Sequence, residues 1–169
     1  MSNAKRMPMD YDEFSKYFKV EDGKLIRLIG APGSAKGTAV GTNSYGYLMF
    51  GHKKKIYFVH RAIYLLMKKE LPEYVDHING DKLDNRIENL RGATICTNAY
   101  NAKLSSRNTS GCKGIHKIKD GSGYQVSIRY NNIRKYLGKF KDFDDAKEFI
   151  SLAREMVHGE YANHGVAYV

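Results

Sequence analysis

Residues 59–103, VHRAIYLLMKKELPEYVDHINGDKLDNRIENLRGATICTNAYNAK, decide how this chain is read. They open with apolar residues at 59, 62, 63, 66 and 67, the one-sided stripe of a helix, and Pro72 lies just past its end. YVDHI at 74–78 reads as a short strand, Asn79-Gly80-Asp81 as a turn, and DNRIENL as a second irregular strand or turn. Thr94 then offers a hydroxyl that can cap a helix over ICTNAYNAK. Strand, turn, strand and helix in so short a span predict a compact α+β core.

Working outward, residues 24–58 break into short β-like runs, KLIRLI, YGYLMF and KIYFV, which predict a small antiparallel sheet. Residues 11–18 (YDEFSKYF) fit either a short helix or an extended lead-in. GAPGSAKGT at 30–38 has phosphate-loop residues in the wrong order, since Lys36 precedes Gly37, and is read as a turn between strands. Lys53-Lys54-Lys55 fits a hairpin turn as readily as a nucleic-acid contact. Downstream, SSRNTSG at 105–111 is a polar linker. Strands follow at 114–118, 123–130 and 133–140, with turns at DGSG and at Asn131-Asn132. Tyr124, Val126, Ile128 and Tyr130 share one face of the middle strand, and Gln125, Ser127 and Arg129 the other. Asp142 caps a helix with apolar positions 143, 146, 149, 150, 153, 156 and 157, which Gly159 ends. The expected organisation is a first domain over 1–104 with its core motif at about 59–103, a linker at 105–111, and a second domain over 112–169.

Charge separates these segments. The chain carries 28 Lys and Arg against 18 Asp and Glu, a net charge of +10. Residues 1–102 hold +5, residues 103–141 hold +9 and residues 142–169 hold −4. A solvated surface would spread its bases and interleave them with acids, so the middle stretch predicts a polyanionic partner. Cys96 and Cys112 form no C-x-x-C pair, which points away from a disulfide framework and from structural zinc. No apolar run has the length of a membrane span and the start lacks the apolar stretch of a secretory signal, so the expectation is a cytoplasmic protein with no membrane partner.

Phosphodiester hydrolysis needs a base to activate water and a hard cation to neutralise developing charge. His77 titrates near neutral pH and can act as the base. Asp76 and Asn98 offer oxygen, which suits magnesium or manganese better than zinc. Neighbours on a regular strand face opposite ways, so for Asp76 and His77 to reach one phosphate the strand must be distorted or must end there. Asn79 and Asn85 read as turn formers.

The stretch from Val59 to Lys103 resembles the His-Asn-His homing endonucleases of phages and mobile introns, with the ββα-metal fold. The resemblance implies an Asp-His pair ending the first strand, an Asn that steadies the loop carrying the His, and an Asn on the helix completing the metal site. Asn89, twelve residues after His77, fits the second of these, and Asn98, twenty-one after it, the third. His60 and Arg61 resemble the family's His-Arg pair, which makes Arg61 a candidate phosphate contact. Residues 110–157 resemble the DNA-binding domain of plant ethylene-response (Apetala-type) factors, through SGCKGIHKI, GYQVSIRY and IRKYLGKFKDFDDA. That resemblance implies a three-stranded sheet in the major groove with one helix on its back, and DNA contacts from Lys113, His116, Arg129, Arg134 and Tyr136. His116 and Tyr136 stand where that family prefers Arg and Trp. The reading is a metal-dependent endonuclease acting on double-stranded DNA as a monomer or dimer; the alternative is a non-catalytic DNA-binding regulator.

Overall fold

A computed structural model describes residues 8–100, 104–106 and 108–164. The chain divides between Thr94 and Ile95 into two compact units, each with its own hydrophobic core. The division falls ahead of the helix over ICTNAYNAK, which sequence pattern had grouped with the first segment.

In the first unit, helix α1 (Tyr11–Tyr17) starts at Asp10, whose Oδ1 accepts from the Glu13 amide at 2.8 Å. Phe14 decides helix over extended chain: it is buried edge-on against Tyr57 and Phe50, with ring centroids 5.1 and 6.3 Å away. Strands β1 (Phe18–Glu21) and β2 (Lys24–Arg27) form a hairpin through Asp22-Gly23, both at positive φ. A second antiparallel sheet has the order β3-β4-β5, from Thr42–Ser44, Tyr47–His52 and Lys55–Phe58. The single N-terminal sheet expected is therefore two. Lys53 and Lys54 turn the β4-β5 hairpin, and residues 31–38 close on themselves through Ala31 and Ser34, each amide bonded to the other's carbonyl at 2.9 Å.

Helix α2 (Val59–Lys68) runs through the core of this unit, and every residue from Val59 to Leu65 is buried. A one-sided stripe was expected, but α1, β2, β4 and β5 surround its first turns, while Met67 at its end is exposed. Lys69 stops it in the left-handed region. Strands β6 (Tyr74–His77) and β7 (Leu90–Ala93) then pair antiparallel, with a 3₁₀ turn at Ile87–Asn89 leading into β7.

The second unit begins with α3 (Ile95–Tyr100), followed by a sheet of order β10-β9-β8 and helix α4 (Phe143–His158). The strands are β8 (Ile115–Lys117), β9 (Tyr124–Tyr130) and β10 (Ile133–Phe140), close to the expected spans. Asn131 and Asn132, both at positive φ, make the β9-β10 turn, and Asp142 Oδ1 caps α4 through the amides of Asp144 and Asp145. Cys112, Ile115, Val126, Ile128, Ala146 and Ile150 form the core. The buried row of α4 is Ala146, Ile150, Arg154 and His158, four residues apart, whereas Phe149, Met156 and Val157 of the expected stripe are exposed. Past Ile150 the helix faces polar backbone: Arg154 Nη2 donates to the Lys113 carbonyl at 2.5 Å and His158 Nε2 to the Arg129 carbonyl at 2.8 Å. The fold is α+β throughout.

Gly123, at φ +132°, allows the closest backbone approach in this unit, since a Cβ there would lie 2.1 Å from the Phe140 carbonyl oxygen. Gly123→Ala should cost about 3 kcal/mol. Gly121→Ala, with φ +77° but open space around it, should cost nearer 1 kcal/mol. Urea denaturation of the two variants, compared with the parent, checks the difference.

Candidate active site

Strand register places the chemistry-bearing residues. β6 pairs with β7 so that His77 stands opposite Leu90 and Asp76 opposite Arg91. Alternation turns Val75 and His77 into the core and Asp76 to the other face. β6 ends at His77, as the demand that both side chains serve one site had required.

His77 is almost fully buried, with 4% of its surface exposed. Its Nε2 lies 3.0 Å from Asn85 Oδ1. The Asn85 amide nitrogen donates to the Leu83 carbonyl at 3.3 Å, which fixes the carboxamide with its oxygen toward the ring. A carboxamide oxygen only accepts, so Nε2 carries the proton and Nδ1 is the basic nitrogen of the neutral ring. Burial lowers the His77 pKa, against the Asn85 bond and the carboxylates of Asp76, Asp81 and Asp84, which act to raise it. The unprotonated form a general base needs is thereby favoured. His60 packs edge-on to the His77 ring at 4.9 Å, and Tyr47 packs against His60, with Lys82 Nζ 4.5 Å over the Tyr47 ring.

Asn89 holds the loop between the two strands. Its Oδ1 accepts from the Asn79 amide at 2.9 Å and its Nδ2 donates to the Asp84 carbonyl at 2.8 Å, while its own carbonyl accepts from the Ile78 amide. Asp84 braces the same loop through Asn79 Nδ2 at 3.0 Å and a 2.8 Å ion pair with Arg86, which holds its carboxyl down at about 2. Asn79 lies in the turn after β6, as read from the sequence, whereas Asn85, read as a turn former too, lies outside a turn, is 3% exposed and sets the His77 tautomer. Nothing in its spacing announced that role.

Asp76 Oδ2 receives Arg91 Nη2 at 3.1 Å and Nε at 3.3 Å, with both side chains about one-tenth exposed. Arg91 was not singled out in the sequence because the pairing depends on register. The backbone of Asn98 lies in α3, but its side chain is outside the described residues. Among the described residues no three His, Cys, Asp or Glu side chains gather as a metal cluster. The donor at hand is the Asp76 carboxylate, whose hard oxygens fit a hard cation. Arg61 is a strut: 5% exposed, it donates from Nη1 to the Glu73 carbonyl at 2.9 Å and ties α2 to the chain before β6.

In the second unit Arg129 faces Arg134 across β9 and β10, and Tyr136 faces Ser127. His116, opposite Gln125, shares that sheet face. His116, Arg129, Arg134 and Tyr136 are exposed, and Arg134 Nε donates to Ser127 Oγ at 2.9 Å. Lys113 differs from the others, because its Nζ turns inward to the Tyr100 carbonyl at 2.8 Å.

Residues 57–100 match the family described as HNH endonuclease. The chain is 35% identical over 107 residues to an uncharacterized HNH endonuclease of Acanthamoeba polyphaga mimivirus, covering 62% of this chain and 54% of that protein. It is 29% identical over 89 residues to Protein 3.8 of Escherichia phage T7, covering 53% of this chain and 73% of the relative. The chain thus spans about half the length of the mimivirus relative. No solved structure matches.

If Asn85 governs His77, exchanging its carboxamide should move the ring's titration. Asn85→Asp puts a carboxylate beside Nε2–H, stabilises the imidazolium and should raise the His77 midpoint. Asn85→Leu removes the acceptor and should lower it further. NMR titration of the His77 ring reads both directions.

Proposed function

We propose that this chain is an HNH endonuclease that hydrolyses phosphodiester bonds of double-stranded DNA, with a metal-dependent centre carried by residues 57–100 and a DNA-reading sheet over residues 115–140. The match of residues 57–100 to the HNH endonucleases supports the chemistry. The observation that carries it is the buried His77, locked by Asn85 at the end of β6 on a loop that Asn89 closes.

In this reading His77 Nδ1 removes the proton from a water, which attacks the phosphorus and leaves 3′-hydroxyl and 5′-phosphate ends. Magnesium or manganese at the Asp76 carboxylate would supply charge neutralisation at the phosphate and the leaving oxygen, and Asn98 is the further ligand that the family pattern implies. Arg91 pairs with Asp76 and has the forked donors that suit a phosphate oxygen, so a cation receptor and an anion receptor lie together. Asn89 acts on the geometry of the loop and touches no reacting atom.

The second unit reads as the Apetala-type module, supported by a three-stranded sheet backed by one helix. Two arginines directly opposite each other destabilise a sheet face unless something anionic covers it. Arg129 and Arg134, with His116 and Tyr136, make that face the DNA surface.

Relaxation of supercoiled plasmid with magnesium tests the enzyme. Nicking should disappear with chelator and fall by about 10²–10⁴ in His77→Ala, with duplex binding retained. Binding without metal-dependent nicking would favour the non-catalytic regulator. Arg129→Ala should weaken a preferred site more than random duplex, read by competition binding; equal loss on both would mark Arg129 as a phosphate contact only.

A further inference from the structure

The second unit contains a pocket of about 250 Å³ whose lining includes Lys113, His116, Arg129, Arg134, Arg154 and His158 and, among the described residues, no carboxylate. Arg154 is the unusual member. It is 2% exposed, the largest fully buried side chain among the described residues. Its guanidinium bonds the Lys113 carbonyl through Nη2 and His164 Nδ1 through Nη1 at 3.0 Å, lies against the Cys112 sulfur, and forms no ion pair among the described residues. Glu155, beside it in the chain, points to His164 Nε2 at 3.5 Å instead. Burying a guanidinium without a counter-charge is costly, and gathering further bases around it adds repulsion.

We propose that this pocket is a binding site for one phosphate group, with Arg154 and Lys113 as its inner cations and His158 as a wall. The proposal rests on the nucleic-acid reading for what delivers the phosphate, and the lining of the site includes His116, Arg129 and Arg134 of the open sheet face as well as Arg154 and His158 of α4. Several features agree with it. Burial and the neighbouring Arg154 bring the Lys113 pKa down to about 8. Arg154, His116 and His158 are all shifted toward their neutral forms, burial being the largest cause in each case. One anion would act against all four shifts. The pocket wall is built for close approach: a Cβ on Gly114, at φ +85°, would lie 2.6 Å from the Ser127 carbonyl oxygen. His158 is held by its Nε2 bond to Arg129 and by stacking on the Tyr100 ring at 3.9 Å, so the wall is rigid before any ligand arrives.

The test uses the full chain and NMR at constant ionic strength. Inorganic phosphate should shift the His158 ring and Lys113 side-chain signals saturably, while chloride should not. Lys113→Gln should weaken phosphate binding about tenfold, as expected for one charge-assisted bond. Arg154→Lys, which keeps a buried cation, should weaken it while leaving the remaining spectrum folded. Two further ligands identify the source. A short duplex with 5′-hydroxyl ends moving the same signals, in competition with phosphate, assigns the pocket to backbone phosphate. If only inorganic phosphate and a nucleoside 5′-monophosphate do so, it takes a free or terminal phosphate. Absence of a saturable shift, or one that Lys113→Gln leaves unchanged, overturns the proposal and leaves Arg154 as a strut between α4 and the Lys113 loop. The readout needs no cleavage, so a protein that cannot nick DNA can still bind phosphate, and the two readings fail separately.

Discussion

One carboxamide holds the candidate centre together. Asn89 accepts from the Asn79 amide and donates to the Asp84 carbonyl, bridging two backbone segments of the loop between β6 and β7. The task needs a donor and an acceptor at fixed separation, which a carboxylate or an aliphatic side chain does not provide. Asn89 is 8% exposed, so both bonds lie in a medium where each is stronger than in water and its loss leaves buried polar groups unsatisfied. His77 sits at the last residue of β6, and Asn85, which orients its ring, lies within the loop that Asn89 ties. The direction of the His77 ring thus depends on a residue that does not touch it.

The same two strands resolve the problem that an Asp-His dipeptide raises. Alternation sends Asp76 and His77 to opposite faces, which would separate a metal ligand from a base along a continuing strand. Here β6 stops at His77 and the chain turns at once, the Gly80 amide bonding the His77 carbonyl at 3.0 Å. Across the ladder, Arg91 meets Asp76 as its direct cross-strand neighbour. The outer face therefore carries a carboxylate and a guanidinium side by side, while the inner face carries a neutral imidazole. Burial raises the cost of charge on the ring while the ion pair keeps charge at the rim.

What was legible in the sequence follows from which interactions are local. The α2 stop near Pro72, the Asp142 cap and the Asn131-Asn132 turn depend on a few neighbouring residues, and each is found in the structure. The Asp22-Gly23 hairpin carried an equally local signal, so β1 was readable and overlooked. The Asn89 role was reachable because its spacing from His77 is part of a recognised pattern. Asn85 and Arg91 were not reachable in this way. One depends on how a loop folds back on a ring, the other on a strand register that a shift of one residue would undo. The α4 stripe misled for a related reason. Periodicity finds apolar residues, but the helix outruns its apolar sheet, and Arg154 and His158 occupy the buried row because backbone carbonyls lie there.

Charge counting shows the same limit from another side. The +9 stretch pointed to a polyanionic partner as a whole, yet its members do different things. Arg129 and Arg134 stand exposed and opposed on the sheet, where their charge reaches into solvent and is screened by salt. Lys113, from the same stretch, turns into the fold, and the cation it joins there is Arg154, which belongs to a segment whose net charge is −4. Net charge along the chain measures attraction at a distance. Whether a particular cation needs a counter-ion is set by its burial and by which groups already accept from it, and those are properties of the packed helix and sheet.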